Sequence, residues 1–372
     1  MTLPIARRRL LAGMPALPLA LASARTPAAG KRDAKSLDAL ASRTARFFGS
    51  AARIDQINRE PALRAAILRD CSRLTPEIDL KWGALEPRNG ELMLRAADEL
   101  AAFALRNGMK LRGHTLLWHS SVPGWAAQAM LEQRDWRLIQ RYFASVIPRF
   151  GDAIDEWEVV NEPIETGYRM DGLRRNVFLE AFGPDYIRRS LEEARRFAPT
   201  ARLMLNDYSL DYDLPVEKDR RYLLLRLLES LKRAGAPLDG VGIQAHLDLA
   251  KGPFVERVLE DFLREIAGFG LGIVITELDV KEADLSAPIA RRDQLVAQHV
   301  RRYLDVALAQ KAVSGVVTWG LCDRHSWLQQ AGPASGASQV RLNRGLPYDY
   351  AMTPKPMHAA IRDAFLAASP RT

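Results

Sequence analysis

The chain has 372 residues, of which 48% are hydrophobic and 26% charged, and its formal net charge is +8. This balance is typical of a soluble globular protein and excludes a disordered chain. The Lys and Arg residues are scattered along predicted helices, which favours a solvated surface over a nucleic-acid-binding face. The only two cysteines, Cys71 and Cys322, fall at opposite ends of the predicted strands, so we expect no disulfide.

The first 24 residues resemble an export signal. Three arginines and two leucines at residues 7–11 precede an uncharged apolar stretch, and Ala-Ser-Ala at residues 22–24 fits a cleavage site. The apolar stretch is too short to span a membrane, so we predict a cleaved signal and a periplasmic or secreted protein without a membrane anchor. The arginine pair resembles a twin-arginine signal, and an ordinary Sec signal is the alternative. Removing the three arginines lowers the formal charge to +5.

Residues 25–38 are predicted to form a tether, and residues 39–368 to form one domain. In this domain short apolar runs alternate with helical patterns, which is typical of βα units. The predicted helices are 37–47, 94–107, 186–196, 218–234 and 292–311. The predicted strands are 47–52, 73–78, 111–117, 154–161, 203–208, 241–247, 273–278 and 316–321. Eight strands with intervening helices favour an α/β fold of the (β/α)₈ TIM-barrel type, in which the loops after the strands carry the chemistry.

Two glutamates stand at the ends of the fourth and seventh predicted strands. The seventh strand begins with a β-branched run and ends in Glu277 and Asp279, which alternation places on one face. The fourth ends in Asn161 and Glu162 because Pro163 cannot continue a β-ladder. A helix cap or an ion pair would explain one acid. Two acids at matching strand ends indicate glycoside hydrolysis, which uses one carboxyl group as the acid and the other as the base or nucleophile.

A histidine on the sixth predicted strand is expected to support this pair. Gln244 and His246 share a face by alternation, next to the strand that carries Glu277. We expect His246 to hold Glu277 by a hydrogen bond while Asp279 holds His246. A metal site is the competing use of histidine and acids. The chain has only 6 histidines and no HExxH or HxH motif, so we predict no metal.

Four tryptophans fall at or just past strand ends, where they would form platforms for a flat ligand with polar edges. They are Trp82, Trp118, Trp319 and Trp327. A core position is the usual explanation for any one of them. Sugars fit this description, and Glu77, Lys81 and Asn206 are predicted to bond their hydroxyl groups.

At this point the sequence resembles the endo-β-1,4-xylanases of glycoside hydrolase family 10, from about residue 47 to residue 361. Seven motifs occur in family order: LKWGALEP from Leu80, RGHTLLWHS from Arg112, WEVVNEP from Trp157, LNDYSLDYD from Leu205, GVGIQAHL from Gly240, ITELDV from Ile275 and TWGLCDRHSW from Thr318. LPYDYAMTPKP from Leu346 is similar to the closing signature of the family.

The resemblance implies activity on xylan. We hypothesise a retaining double displacement, and we expect a monomer that uses no cofactor. The resemblance implies that Glu162 is the acid/base, that Asn161 bonds the 2-hydroxyl of the cleaved sugar, and that Glu277 is the nucleophile supported by His246 and Asp279. It also implies a set of residues lining the glycone side, namely Glu77, Lys81, His114, Trp118, Gln244, Trp319 and Trp327. The alternatives are a related barrel glycosidase acting on another β-linked glycan or oligosaccharide, and a non-catalytic glycan-binding barrel.

Three positions depart from the family pattern. Ile78 stands where the family usually has Asn, Ser121 where it usually has Gln, and Glu158 where it usually has Asp. The first two remove hydroxyl-binding groups from the glycone side, which leaves the substrate preference open.

Overall fold

The computed structural model describes residues 33–329 and 342–371. The predicted export signal and most of the predicted tether lie outside the described residues. Helix α1 (Leu37–Ser42) begins after Ser36, whose hydroxyl accepts a hydrogen bond from the Ala39 N–H at 3.3 Å. Leu37 is fully buried in the core, so the predicted end of the tether at residue 38 lies too late in the chain.

The described residues contain ten β-strands. They are β1 (Phe47–Ala52), β2 (Arg73–Pro76), β3 (Lys110–Gly113), β4 (Leu117–Trp118), β5 (Ile154–Asn161), β6 (Arg202–Asp207), β7 (Gly240–Ile243), β8 (His246–Asp248), β9 (Gly272–Lys281) and β10 (Val313–Thr318). Within the described residues, eight of them form a closed parallel barrel in the order β1, β2, β3, β5, β6, β7, β9, β10, with β10 pairing back to β1. The predicted (β/α)₈ barrel is therefore confirmed.

Helices cover the outside of this barrel. After α1 they are α2 (Ile54–Arg59), α3 (Pro61–Asp70), α4 (Trp82–Leu85), α5 (Arg95–Arg106), α6 (Gly124–Gln133), α7 (Arg137–Phe150), α8 (Val177–Phe182), α9 (Tyr186–Phe197), α10 (Pro215–Arg233), α11 (Glu256–Gly268), α12 (Ile289–Ala309) and α13 (Pro356–Ala367). Their apolar stripes pack on the outer faces of the strands in one continuous core. Within the described residues, no helix is both long and apolar enough to cross a bilayer.

Two predicted strands are each broken into a long and a short piece. The predicted strand 111–117 ends as β3 at Gly113 and resumes as β4, and the predicted strand 241–247 ends as β7 and resumes as β8. Ala245, in the second break, has a φ of 58°, which is incompatible with a strand. Gln244 and His246 therefore reach the carboxyl end of the barrel through an irregular segment, and the alternation argument does not apply to them.

The barrel interior contains charged residues as well as apolar ones. Near its amino-terminal end lies a small cluster of Met204, Val274 and Val317. Beside it a buried ion-pair chain, formed by Arg202, Glu156, Arg112, Glu158 and His114, runs toward the carboxyl ends of the strands. Its contacts are 3.1 Å, 2.7 Å, 3.0 Å and 2.7 Å in that order.

Cys71 and Cys322 are both buried, and they do not form a disulfide with each other. Cys71 directly precedes β2, whereas Cys322 follows β10. They therefore belong to opposite ends of the barrel, as the order of the elements predicts.

Candidate active site

A pocket of about 450 Å³ opens at the carboxyl ends of the strands. It is lined by Glu77, Ile78, Lys81, His114, Trp118, Asn161, Glu162, Tyr208, Gln244, His246, Glu277, Trp319 and Trp327. Of the predicted site residues, Asn206, Asp279 and the predicted platform Trp82 are not in this lining. Asn206 and Asp279 both contact residues that are. The structure thus brings together side chains from seven of the eight barrel strands or the segments that follow them.

Glu277 is held from two sides. Its Oε1 accepts a hydrogen bond from the Asn206 Nδ2 at 2.7 Å, and its Oε2 lies 3.3 Å from the His246 Nε2. The His246 Nδ1 lies 2.8 Å from the Asp279 Oδ1, so the imidazole is bracketed by two carboxylates. Burial alone would raise the pKa of Glu277, but the His246 hydrogen bond and the nearby His114 and His246 charges outweigh it and lower that pKa. Glu277 is therefore kept ionised, as a nucleophile requires.

Burial would lower the pKa of His246, but Asp279 and Glu277 outweigh it and raise that pKa to about 10 from its usual 6.5. His246 therefore binds its proton more tightly in the folded protein than in the unfolded one. The resulting stabilisation is complete below pH 6.5 and is lost as the pH rises through about 10. We expect the difference in free energy of unfolding between the wild type and His246→Gln to narrow over that interval. Urea unfolding of both proteins at a series of pH values measures this difference in free energy. If the difference did not change with pH, His246 would not be protonated in the folded protein.

Glu162 lies across the pocket, directly after β5. Its Oε1 accepts hydrogen bonds from the Asn161 Nδ2 and the Gln244 Nε2, each at 3.4 Å. The His119 Nε2 lies 3.9 Å from its Oε2. These contacts are long, and the Glu162 side chain is 15% exposed against 5% for Glu277. The less tightly bonded carboxyl group is better suited to exchanging a proton with substrate and water.

Two amide side chains in series connect the two glutamates. The Asn206 Nδ2 donates both to Glu277 and to the Asn161 Oδ1, the latter at 2.9 Å, and Asn161 in turn donates to Glu162. We call this arrangement the two-amide bridge. A shift in the pairing of β5 with β6 between Glu158 and Val160 allows both Glu158 and Asn161 to face the barrel axis. The bridge connects the two carboxylates that line this pocket.

A sequence model of glycosyl hydrolase family 10 matches residues 36–364, nearly all of the part that the structure describes. The chain belongs to glycosyl hydrolase family 10. This membership confirms the resemblance found in the sequence motifs.

Known relatives cover most of the chain. Endo-1,4-beta-xylanase 1 of Humicola insolens is 30% identical over 322 residues, which are 85% of this chain and 71% of that protein. A thermostable celloxylanase of Thermoclostridium stercorarium is 34% identical over 317 residues, 78% of each chain. The crystal structure of native xylanase 10B from Thermotoga maritima gives a TM-score of 0.77 at 27% identity, covering 89% of this chain and 98% of that one.

One wall of the family 10 pocket combines an ammonium group with aromatic rings. The Lys81 Nζ lies 4.6 Å from the ring centroid of Trp118 and 5.7 Å from that of Trp319. Burial lowers the pKa of Lys81 and raises that of Glu77 beside it. Trp327, 54% exposed, donates its indole N–H to the Asp279 Oδ2. The wall therefore has apolar faces with polar groups at their edges.

The structure corrects the prediction for Asn206. Its side chain is fully buried, and its oxygen accepts a hydrogen bond from the Thr276 hydroxyl at 2.7 Å while both amide hydrogens are used in the two-amide bridge. It has no N–H left to donate to a sugar hydroxyl, and its buried oxygen is not part of the pocket lining. Gly242 makes room for it, because a Cβ there would lie 2.2 Å from the Asn206 Oδ1. Asn206 supports Glu277 instead.

The structure also corrects the prediction for Trp82. Its ring is buried and stacks on Tyr142 with centroids 4.2 Å apart, and its indole N–H donates to the Glu86 carboxylate at 3.1 Å. Trp82 is a core residue. Of the four tryptophans predicted as platforms, Trp118, Trp319 and Trp327 line the pocket.

One group of side chains has the spacing of a metal site. Ligand atoms of His114, Glu158 and Glu277 lie within 4.8 Å of one another. Glu158, however, already bonds Arg112 through one oxygen and the His114 Nδ1 through the other. An ion at this position would have to break both contacts beside a guanidinium group, so the donor set fits an ion-pair chain better than a cation site.

Sequence reasoning did not identify Tyr208 as a site residue, although it directly follows β6 and lines the pocket. Its position just past a strand end is the signal that could have found it. Of the family departures, Ile78 lines the pocket and is 38% exposed, whereas Ser121 is outside the lining. Of these departures, Ile78 is therefore the one that changes the pocket surface available to a bound sugar.

Proposed function

We propose that this protein hydrolyses internal β-1,4-xylosidic bonds of xylan by a retaining double displacement. The observation that carries this proposal is the two-amide bridge, which holds an ionised Glu277 and a loosely bonded Glu162 on opposite sides of one pocket. A non-catalytic glycan-binding barrel would not require two carboxylates fixed against each other in this way.

In the first step Glu277 attacks the anomeric carbon while Glu162 donates a proton to the leaving oxygen. This forms a glycosyl ester on Glu277 and releases the reducing-end fragment. In the second step the ionised Glu162 takes a proton from a water molecule, which attacks the same carbon and releases Glu277. Two inversions give net retention. This mechanism requires a carboxyl separation of roughly 5–5.5 Å, and inversion roughly 6.5–9.5 Å.

The remaining lining residues would bind the glycone sugars. The His114 Nε2 is buried without a hydrogen-bond partner among the described residues, and it faces the pocket. A sugar hydroxyl would satisfy it, because the other ring nitrogen is held by Glu158. Trp319 and Trp327 offer apolar surface to the sugar rings, and Lys81 and Gln244 offer donors to their hydroxyl groups.

Product analysis on a panel of polysaccharides tests the substrate assignment. We expect reducing-sugar release from xylan to exceed that from β-1,4-glucans, mannans and mixed-linkage glucans, with short xylo-oligosaccharides as products. The second candidate is another β-linked glycan, which is favoured by the apolar Ile78 in the lining and by a relative described as a celloxylanase. Faster release from a glucan than from xylan would replace the first candidate with the second.

The proposal extends to where the enzyme acts. The arginine pair, the apolar stretch and the small-residue site in residues 1–24 support export to the periplasm or the medium, where polymeric xylan is found. We propose that the exported protein acts as a monomer and binds neither nucleic acid nor a membrane. Fractionation of cells that express the full chain tests the export. Retention of the protein in the cytoplasm would contradict it.

Asn206→Ala distinguishes a supporting role from a sugar-binding role. We expect kcat on an aryl β-xylobioside to fall about 10²-fold with little change in KM, because Glu277 loses its alignment while the sugar contacts are unaltered. Steady-state kinetics measures both constants. A raised KM with an unchanged kcat would show instead that Asn206 binds the sugar.

A further inference from the structure

The backbone at Glu162 has an unusual conformation. Glu162 has a φ of 56°, in the left-handed region that residues with side chains rarely occupy. Such a conformation costs free energy and persists only where the surrounding contacts enforce it. Its own N–H donates to the Asn206 carbonyl at 2.7 Å, which holds one side of the turn. The other side is held by an arginine that follows later in the chain.

Arg174 bonds three consecutive carbonyl oxygens of this turn. Its Nε donates to the Glu162 oxygen at 2.8 Å, its backbone N–H to the Pro163 oxygen at 2.7 Å, and its Nη2 to the Ile164 oxygen at 2.9 Å. One residue thus fixes the direction of three successive peptide groups. We call these contacts the carbonyl clamp.

The carbonyl clamp is anchored to the rest of the site. The Arg174 Nη2 also donates to the Tyr208 hydroxyl at 2.9 Å. The guanidinium groups of Arg174 and Arg220 lie 5.6 Å and 4.1 Å from the centroid of the Tyr208 ring. Arg220 bonds the Ile164 oxygen at 3.1 Å as well. A bridge between Ile164 and Leu173 closes the intervening loop and brings Arg174 back to the turn.

We infer that Arg174 is a positioning residue, which holds Glu162 in the one backbone conformation that presents its carboxyl group to the leaving oxygen. The inference rests on the proposed role of Glu162 as the acid/base. Arg174 bonds backbone oxygens of the turn, and it acts on the reaction only through Glu162. Nothing in this role involves Glu277, which stands on the opposite wall and has its own supports.

The role predicts a loss that depends on the leaving group. A poor leaving group such as phenol needs protonation as the bond breaks, whereas 2,4-dinitrophenol leaves without an acid. Because kcat/KM for aryl β-xylobiosides reports only the first chemical step, comparing the two substrates isolates the acid. A misplaced acid therefore slows only the phenyl substrate.

The test compares Arg174→Met, Arg174→Lys and the matched control Arg175→Met. Arg175 is next in the chain and makes none of these contacts with the turn. Its backbone N–H donates to the Glu165 carboxylate, and its guanidinium group lies over the ring of Tyr168. We expect Arg174→Met to lower kcat/KM about 10²-fold for the phenyl substrate and less than about threefold for the dinitrophenyl substrate. Arg174→Lys keeps a positively charged donor group but loses the planar guanidinium that bonds two carbonyl oxygens at once. Its loss of kcat/KM on the phenyl substrate should therefore be intermediate. Arg175→Met should match the wild type.

Titration with a slow 2-fluoro aryl glycoside, which traps the ester on Glu277, counts folded active sites and normalises each rate. Equal losses on both substrates, or no loss on either, would overturn the inference. Should too little Arg174→Met fold to be titrated, the same comparison with Arg174→Lys decides. Glu162→Ala serves as the reference. If it lacks the leaving-group dependence, the proposed acid is wrong; if it shows the dependence and the Arg174 variants do not, only the inference fails.

Discussion

Glu277→Ala is expected to lower kcat on aryl β-xylobiosides by roughly 10⁴- to 10⁶-fold, the range found when a nucleophile or its partner is removed. The neighbouring Asp279 cannot take its place, because its carboxylate is bonded to His246 and Trp327. The alanine leaves a small space beside Asn206 and His246. That space can admit a small anion.

Azide provides the decisive measurement on this variant. It should enter the vacated space, attack the anomeric carbon once, and restore turnover with an α-configured glycosyl azide as product. NMR of the product reads the configuration directly. Glu260→Ala, on the exposed side of α11, is the matched control and should behave as the wild type. A β-configured azide from Glu277→Ala, or near-normal turnover without azide, would contradict the nucleophile assignment.

Glu162→Ala is expected to lower kcat/KM by about 10² to 10⁴ for substrates with poor leaving groups, and only slightly for the 2,4-dinitrophenyl substrate. With the latter the first step should proceed, and the glycosyl ester should accumulate because no base activates water. A burst of dinitrophenol followed by slow turnover is the expected kinetic trace.

Azide acts differently on this second variant. It should attack the accumulated ester from the side that Glu162 normally serves and give a β-configured azide, because two inversions have then taken place. The pair of variants thus yields products of opposite configuration from one reagent. Glu165→Ala, a few residues along the same rim, controls for the loss of a carboxylate there. Identical azide products from both catalytic variants would contradict the division of roles.

The barrel was predictable because its strands are short apolar runs bounded by turn residues. The strands β1 and β5 have the bounds that the pattern predicts. The break before β8 was not predictable, since Ala245 adopts a left-handed conformation that the alanine side chain does not indicate. The register shift in β5, which brings Glu158 and Asn161 to one face, also leaves no trace in the residue pattern.

The site was predictable to the extent that strand ends decide it. Polar residues at the carboxyl ends of parallel strands must converge, and this placed Glu162, Glu277 and His246 together. The same rule could not show which polar atoms already form hydrogen bonds within the protein, so Asn206 was wrongly predicted to bond a sugar hydroxyl. It could not find Arg174, because a residue in a loop acquires its role only from how the loop folds back.

The ion-pair chain through the barrel interior restricts how this enzyme can vary. Each of Glu156, Arg112 and Glu158 is almost inaccessible to water, and each is neutralised by its neighbours. Losing one charge would strand an opposite one in a low-dielectric interior, at a cost of about 3–5 kcal/mol. In natural variants we therefore expect these residues to be replaced together, so that the net charge of the group stays the same. Loss of the ion-pair chain by single substitutions would pass through an unstable intermediate sequence.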